Sequence, residues 1–244
     1  MKEQLKREYL SHSALKAFLR SPNHYLQYVT RQIETTPAML FGSAFHCYVL
    51  ERDEFSKRYA VAPKVDKRTK EGKATWNAFS EAVIGREIIT EDDMNTIVVM
   101  QEAMNNFEPA RTILAACKSF EEERTDTLFG YAFKGIADAV GENFVVDVKT
   151  TLDASPEAFM KTAYNMGYHE QAAAYKLLFN VERFYWVAVE KNNPHNCAVY
   201  MQSERAGRLA LTRLQNGIEA FKAWDGRGQS YSNETQILEM PSWA

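Results

Sequence analysis

An acidic and a basic residue alternate near the end of one short apolar segment. Asp147 and Lys149 are two positions apart within the run FVVDVKTT, residues 144–151. On a β-strand, side chains two positions apart point to the same face. Burying a charged group is costly unless the group is paired or bound to a metal ion. The spacing therefore allows either a simple ion pair or a charged site that faces a cleft.

A second aspartate, Asp138, lies nine residues before Asp147. If Glu142 and Asn143 form a two-residue turn, the two aspartates lie opposite each other, with Cβ atoms about 4.5–5.5 Å apart. Carboxylates at this distance repel each other, and a cation that prefers oxygen ligands, Mg²⁺ or Mn²⁺, would remove the repulsion. Hydrolysis of a phosphodiester needs such an ion to activate water and an ammonium to stabilise developing charge. An odd-numbered loop would place the aspartates on opposite faces and exclude this site.

Three further polar residues precede or follow this hairpin. His46 lies in an apolar predicted helix, residues 40–51, where a histidine is either a ligand or a residue of the core. Gln171 and Tyr175 are four positions apart on another predicted helix and therefore share a face. That face either supports the site or is a polar surface with one half-buried tyrosine. The order His, Asp, Asp-x-Lys and Gln-xxx-Tyr along one chain is much rarer than its parts.

The predicted elements around these residues are mainly helical over residues 1–118 and mixed over residues 119–244. Strands are predicted over residues 119–129, 131–140, 144–150, 183–190 and 197–202. Helices are predicted from Ser11 or Ser13 to Arg20, from Pro22, from Thr90 to Asn105, from Ser155 to Gly167, from His169 to Asn180 and from Ser203 to Trp224. The sequence therefore predicts one α/β domain, 1–244, with a central mixed sheet flanked by helices and a helical N-terminal elaboration.

The composition is that of a globular protein. The 244 residues are 45% hydrophobic and 25% charged, with a formal net charge of −3. This charge argues mildly against a broad nucleic-acid surface but is compatible with a local basic channel. The three cysteines form no CxxC pair, which disfavours a disulfide framework or structural zinc and suits a reducing cytoplasm. The sequence has neither a long apolar run nor a secretory leader, so we expect no membrane span.

The motifs together resemble the RecB-like branch of the PD-(D/E)XK superfamily, and the chain is similar, nearly end to end, to the nuclease domain of the RecE exonucleases. The similarity is carried by LFGSAFHCYVLE, YAVAPKVDKRT, VVDVKTT, YHEQAAAY and LEMPSWA. It implies the PD-(D/E)XK nuclease fold. The implied active site consists of His46, Asp138, Asp147 and Lys149, supported by Gln171 and Tyr175.

The resemblance also implies a set of metal ligands. His46, Asp138 and Asp147 belong to it, and family members carry a further acidic residue on the strand before the first aspartate. Glu121, Glu122 and Glu123 compete for that place, and we expect Glu123, although the triplet also fits a solvated strand edge. An iron–sulfur cluster is not expected, because only three cysteines are present and Ser21 stands before Pro22 where a cysteine would be required.

The activity implied by the resemblance is a Mg²⁺-dependent exonuclease, with Mn²⁺ able to substitute. It would degrade one strand of double-stranded DNA from the 5′ end and leave 3′ tails for recombination by strand annealing. The alternatives are a RecB- or Cas4-like single-strand nuclease or endonuclease of the same fold, and a catalytically silent DNA-end-binding scaffold, against which the intact Asp-x-Lys argues. Also implied are a bacterial or phage source, a single-strand annealing protein as partner and a ring-shaped homo-oligomer, tetrameric by preference or trimeric.

A basic run precedes the hairpin by many residues. Neutralisation of phosphates by such side chains gives binding that does not depend on base sequence. The residues predicted to contact DNA are Lys64, Lys67, Arg68, Lys70 and Lys73. The alternative is a solvated, mobile loop. Arg20, near the end of the first predicted helix, is a further candidate for contact with a terminal phosphate.

Overall fold

The first part of the chain is mainly helical. A computed structural model describes residues 8–30 and 35–229, together with 231, 235, 237, 239 and 240, so most of the LEMPSWA segment lies outside the described residues. The elements in order are α1 (His12–Arg20), α2 (Pro22–Thr30), α3 (Pro37–Leu50), α4 (Arg52–Arg58), β1 (Tyr59–Val61), α5 (Lys70–Ala82), β2 (Glu87–Ile89), α6 (Glu91–Asn106) and α7 (Glu108–Ala115). Strands β1 and β2 form a small parallel sheet.

The second part of the chain supplies the main sheet. Its elements are β3 (Ser119–Leu128), β4 (Tyr131–Val140), β5 (Phe144–Thr151), α8 (Pro156–Met166), α9 (Tyr168–Phe179), β6 (Arg183–Glu190), β7 (Cys197–Met201) and α10 (Glu204–Ala223). The sheet order is β3-β4-β5-β6-β7. Only β5 and β6 are parallel, because the helices α8 and α9 connect them, whereas the other neighbours are antiparallel. The predicted mixed sheet flanked by helices is therefore confirmed.

Helices cover both faces of the sheet. Val145 belongs to an apolar cluster with residues of α1, α8, α9 and α10. Val146 and Val148 belong to a second cluster with residues of α3, α6 and α7. Successive strand residues point to opposite faces, so the run of valines in β5 serves both clusters. In the described part of the chain, no helix combines the length and the apolar character needed to span a bilayer.

Both ladders of β4 are interrupted at Asp138. The β4–β5 pairing consists of Ala139 with Val146 and Val140 with Val145, around a turn with Glu142 and Asn143 at its centre. The even loop is therefore as predicted. The expected ladder pair of Asp138 with Asp147 is not formed, because the ladder ends one pair earlier and the strands diverge. This divergence opens room for side chains between the two strands.

Several elements of the first part were not predicted from the sequence: α4, β1, α5, β2 and α7. The largest difference concerns the basic run, part of which forms the first turn of α5 rather than a loop. Thr69 caps this helix by accepting from the amide of Gly72 at 2.9 Å. A Cβ at position 72 would lie 2.0 Å from the carbonyl oxygen of Asp66, so only glycine fits this entry to the helix.

Candidate active site

A cleft of about 560 Å³ lies where the two strands diverge. His46 on α3, Glu121 on β3, Asp138 on β4 and Lys149 on β5 line it, together with Tyr168 at the start of α9. The cleft therefore collects side chains from both parts of the chain. The break in the β4–β5 ladder is what gives Asp138 access to it.

Three potential ligand groups converge at one point of this cleft. One ligand atom each from His46, Glu121 and Asp138 lies within 4.8 Å of the others, and His46 Nδ1 is 3.4 Å from Asp138 Oδ2. Oxygen or nitrogen ligands of one Mg²⁺ stand at most about 4.2 Å apart, at twice its usual bond length. The three groups therefore fit one divalent cation after a small closing movement. The two carboxylates match the oxygen ligands that Mg²⁺ and Mn²⁺ prefer, whereas an imidazole nitrogen is more usual at other transition metals.

Glu121 reaches this cluster through an unusual backbone conformation. Its φ of 48° lies in the left-handed region, which non-glycine residues seldom adopt. The β3–β4 register continues on either side through the pairs Phe120–Ala139 and Glu122–Ala137. Glu121 thus occupies the register position opposite Asp138 without forming a ladder pair. Left-handed backbone at a candidate site is consistent with a functional constraint on this residue.

Our expectation that Glu123 joins the metal ligands is corrected by these positions. Glu123 lies two residues along β3 and forms an ion pair with Lys134, at 2.7 Å, with about half of its side chain exposed. Glu122 is also engaged elsewhere, with Ser119 and Arg124. Simple alternation along β3 could not identify Glu121, because its backbone departs from the strand conformation.

The second aspartate lies beneath the cleft. Asp147 is 3% exposed, and its Oδ2 lies 2.7 Å from Lys149 Nζ as a close ion pair that lacks the direction of a good hydrogen bond. Gln171 Nε2 donates to Asp147 Oδ1 at 3.2 Å. The ring of Tyr168 lies 4.8 Å from Lys149 Nζ. The Asp-x-Lys pair is therefore held in place from α9 on one side.

Burial and the attraction between opposite charges shift the pKa values of the acidic and basic side chains at this site. Burial raises the pKa of Asp147 to about 6, although Lys149 opposes the shift. Burial alone would raise the pKa of Asp138 as well, but His46 and Lys149 outweigh it and the pKa is lowered. Burial disfavours the charged forms of His46 and Lys149, yet the nearby aspartates raise the pKa of both. Lys149 is therefore firmly charged.

Glu121 adds a third acidic group to this balance. Burial and the neighbouring Asp138 carboxylate raise its pKa. The charge of Lys149 does not balance three ionised carboxylates, so their mutual repulsion disfavours full ionisation of the group. A divalent cation would supply the compensating charge. The donor set and its electrostatics both fit a metal centre.

Tyr175 contacts the backbone rather than a carboxylate. Its hydroxyl donates to the carbonyl oxygen of Ile136 at 2.9 Å, two residues before Asp138. The tyrosine reaches this carbonyl because position 135 is glycine: a Cβ there would lie 3.0 Å from the tyrosine ring. Tyr175 is therefore a positioning residue for β4, whereas Gln171 contacts Asp147 directly.

The basic run is only partly free to contact an anion. Lys64 lies 4.0 Å from Asp92, Arg68 pairs with Asp66 at 3.0 Å, and Lys67 lies over the ring of Trp76. Lys70 and Lys73 lie on the first turn of α5. None of the five lines the cleft. The run follows Tyr59, which lines the cleft, and Lys64 is at most about 17 Å from that residue by chain length.

Arg20 lies away from the cleft. It stands at the end of α1, and its Nε contacts the hydroxyl of Tyr231 at 3.3 Å. The beginning of α1 is close to the site instead: Lys149 is near enough to His12 and Lys16 to lower the pKa of each, after the larger effect of burial. Arg20 is about 12 Å from His12 along the helix axis. Neither His12 nor Lys16 could be found from the sequence, because their proximity to Lys149 depends on tertiary packing.

Arg58 is another cleft residue that the sequence did not indicate. It forms an ion pair with Glu51, and both residues line the cleft. It also lies close enough to Glu121 to oppose the rise in that residue's pKa. Arg58 thus places a cation near the acidic cluster in addition to Lys149.

The sequence matches a family described as "PDDEXK-like domain of unknown function" (DUF3799) over residues 11–233. The chain belongs to this PDDEXK-like family. The match spans both the helical first part and the main sheet, so it confirms the PD-(D/E)XK resemblance found from the motifs. No curated protein matches the chain.

The PDDEXK-like fold also occurs in solved structures. A protein from Eubacterium rectale, described as a candidate exonuclease, superposes with a TM-score of 0.65 at 15% identity, over 98% of this chain and 92% of that chain. A phage-related exonuclease from Haemophilus somnus 129PT matches at 12% identity over 66% of this chain and 89% of that chain. The TM-score of this second match is 0.34, so only the first supports the shared fold.

Proposed function

We propose that this PDDEXK-like protein is a divalent-metal-dependent nuclease that degrades double-stranded DNA from 5′ ends and leaves 3′ single-strand tails. The observation that carries the proposal is the convergence of three carboxylates, a histidine and a charged lysine at one cleft. The preference for DNA ends and the polarity are supported by the resemblance to RecE, and the description of the Eubacterium rectale protein as a candidate exonuclease agrees with a preference for ends.

The residues that would hold the metal ion are His46, Glu121 and Asp138, with Asp147 beneath them. A bound Mg²⁺ or Mn²⁺ supplies Lewis-acid stabilisation of the phosphate and lowers the pKa of a bound water. Asp138 contributes a carboxylate whose position is fixed by the amide of Val148. The imidazole of His46 lies beside that carboxylate and limits its movement.

Lys149 is the residue best placed to act on the reacting groups. Its ammonium remains charged, because Asp147 and Asp138 raise its pKa against the effect of burial. The contacts with Asp147 and Tyr168 hold it at the cleft wall. A fixed cation at this place can orient an attacking water and stabilise the negative charge that develops on the phosphate.

Two residues of α9 hold Asp147 and the backbone of β4 in position. Gln171 holds one oxygen of Asp147, which leaves the other oxygen facing Lys149. Tyr175 holds the backbone of β4 at Ile136. Small displacements of reacting groups cost large factors in rate, so both contacts are expected to matter for activity without touching the substrate.

The test is cleavage of linear duplex DNA labelled at either the 5′ or the 3′ end, with and without Mg²⁺. The proposal expects metal-dependent loss of the 5′ label as short products, survival of the 3′ strand, and resistance of covalently closed circles. Asp138→Asn serves as the matched inactive control. Nicking of closed circles as fast as linear DNA is degraded would point to an endonuclease, and cleavage of single strands alone would point to a single-strand nuclease.

The assembly and partners are proposed on the resemblance. A ring-shaped homo-oligomer, tetrameric or trimeric, would enclose the duplex, and an annealing protein in the bacterial cytoplasm would receive the 3′ tail. The segment from Lys64 to Lys73 would face the enclosed DNA. Its exposed basic side chains suit this position, because the segment follows the part of the chain that lines the cleft. Light scattering that detects only monomer at working concentrations would contradict the ring.

A further inference from the structure

A second groove lies behind one wall of the cleft. It has a volume of about 400 Å³ and lies between α1, the α8–α9 corner and α10. Gly167 and Tyr168 form the dividing wall: Tyr168 lines the cleft, whereas Gly167 lines the groove. A Cβ at Gly167 would lie 3.4 Å from the imidazole of His12, so this wall is thin and closely packed. The groove therefore runs next to the lysine side of the candidate active site.

An exposed aromatic ring and a cation are combined on one side of this groove. Tyr164 is 61% exposed although it is a large aromatic residue. The guanidinium of Arg213 lies 5.4 Å from the centre of its ring and is held there by Glu170, at 3.3 Å. This arrangement fixes the tyrosine beside the groove and leaves most of it open to solvent. A flat ring held in this way offers a surface on which another ring can stack.

Lys16 of α1 also lines the groove, and in the described part of the chain it has no carboxylate partner. The contact of the Lys16 ammonium found among the described residues is the sulfur of Met166, at 3.8 Å, and no ion pair with an acidic group is found for it there. Burial and the charge of Lys149 lower the pKa of Lys16. Both effects disfavour the charged form, and a bound anion would relieve them. The groove thus pairs a stacking surface with a site for a phosphate.

We propose that this groove binds unpaired nucleotides of the strand being cut, next to the scissile phosphate, with Tyr164 stacking on a base and Lys16 contacting a backbone phosphate. This inference rests on the proposed nuclease function. Aromatic rings combined with basic side chains are the usual means by which proteins hold single strands without reading sequence. In a duplex the faces of the bases are covered by their neighbours, so an accessible tyrosine ring suits unpaired nucleotides.

The position of the groove beside the cleft also supports binding of unpaired nucleotides. The candidate metal ligands lie inside a cleft between strands and helices, and an unpaired strand enters such a cleft more easily than a duplex does. The groove begins one residue away from the cleft wall. Nucleotides released from pairing would therefore meet Tyr164 and Lys16 close to the place of reaction. The groove would also stabilise the opened end and favour repeated cutting of one molecule.

The experiment measures binding without catalysis. Fluorescence anisotropy in the absence of divalent metal, with a labelled oligothymidylate of about ten nucleotides, tests the groove directly. Tyr164→Ala and Lys16→Gln are expected to weaken binding about fivefold or more, as loss of one stacked base or one phosphate contact predicts. Met160→Ala and Lys161→Gln, on the exposed surface of the same helix as Tyr164 but outside the groove, are matched controls and should bind like the wild type.

The outcomes separate this inference from the proposed function. Three results would each contradict binding of single strands in the groove: unchanged binding by Tyr164→Ala and Lys16→Gln, equal losses in the controls, or no binding by the wild type. If the wild type cleaves linear duplex and the groove variants bind normally, the nuclease proposal stands and the groove fails. If the variants lose binding and the wild type does not cleave DNA, the groove binds single strands and the nuclease proposal fails. Thermal melting of each variant verifies that it is folded.

Discussion

The carboxylate of Asp138 accepts a hydrogen bond from the backbone amide of Val148 at 2.7 Å, at the point where the ladder between their strands ends. A side chain thus takes the place that a backbone carbonyl would fill in a continuous ladder. The amide of Val148 is satisfied, and the strands can diverge without leaving a buried donor unpaired. This contact ties Asp138 to the strand that carries both Asp147 and Lys149.

Replacing either aspartate by asparagine should remove hydrolysis and retain the fold. Asparagine keeps an oxygen that can accept from Val148 or Gln171, whereas the charge needed to bind a cation is lost. We expect the cleavage rate of Asp138→Asn and Asp147→Asn to fall by at least about 100-fold, on the scale of losing one electrostatic group. Cleavage assays with Mg²⁺ titration and thermal melts measure both properties. Asp126→Asn, on the exposed part of β3, should remain active, and wild-type rates in either site variant would refute the assignment.

Loss of the lysine should separate catalysis from metal binding. Lys149→Ala is expected to reduce the cleavage rate by about 100- to 1,000-fold, because the ammonium stabilises charge on the phosphate. Binding of Mn²⁺, measured by calorimetry, should persist, since the ligand groups remain. Lys134→Ala, which removes a half-buried lysine of β4 that pairs with Glu123, is the matched control. If metal binding disappears together with activity in Lys149→Ala, the lysine has a structural role instead.

Two of the three glutamates of β3, Glu121 and Glu123, can be distinguished directly. Glu121→Gln should weaken metal binding by about tenfold or more, because Glu121 stands with His46 and Asp138. Glu123→Gln should bind metal like the wild type, since that residue pairs with Lys134 outside the cluster. Both substitutions remove one negative charge from the same strand, so general electrostatics cannot explain a difference. Equal effects of the two would show that Glu121 is not a ligand.

The stability of the protein should carry a contribution from His12 that is lost in acid. Burial, and then the charges of Lys16 and Lys149, lower its pKa to about 4, while the backbone of Gly167 opposes the shift. The unfolded chain therefore binds the proton first, and the free energy of unfolding falls as the pH decreases from about 6.5 towards about 4. The loss should be on the order of 1–2 kcal/mol, less than the full shift implies because the ring is partly exposed.

His12→Gln isolates this contribution. The variant has no titrating group at this position, so its stability should fall less than that of the wild type between about pH 7.5 and about pH 5. Urea unfolding at the two pH values measures the difference, and comparison with the wild type cancels the groups that titrate in both proteins. Parallel losses in the two proteins would show that His12 is not buried in its neutral form.

The sequence was sufficient for the parts of the site that depend on local geometry. The β-branched and aromatic runs predicted the two strands, and Glu142 and Asn143 form the even loop that was considered for the hairpin. The spacing of Gln171 and Tyr175 on one predicted helix predicted that the two side chains share a face. These features follow from the period of a strand or a helix, which a single sequence records directly.

The remaining features depend on contacts that are distant in the sequence. Glu121 could not be separated from its neighbours, because its positive φ breaks the alternation on which the prediction relied. Arg58 and His12 reach the site from helices whose packing only the tertiary structure determines. The start of α5 was interpreted as a possible loop, since its basic residues obscured the Thr69 cap. Secondary-structure propensity and charge patterns carry no information about such tertiary contacts.

The contact between Gly135 and Tyr175 has a consequence for the evolution of the family. The ring occupies the space that any side chain at position 135 would need, and its hydroxyl holds the carbonyl of Ile136. A mutation at position 135 therefore acts at once on the tyrosine, and a smaller residue at position 175 would leave both a void and an unsatisfied carbonyl. A side chain at position 135 would require the tyrosine ring to shift, so the two positions are expected to vary together across the family.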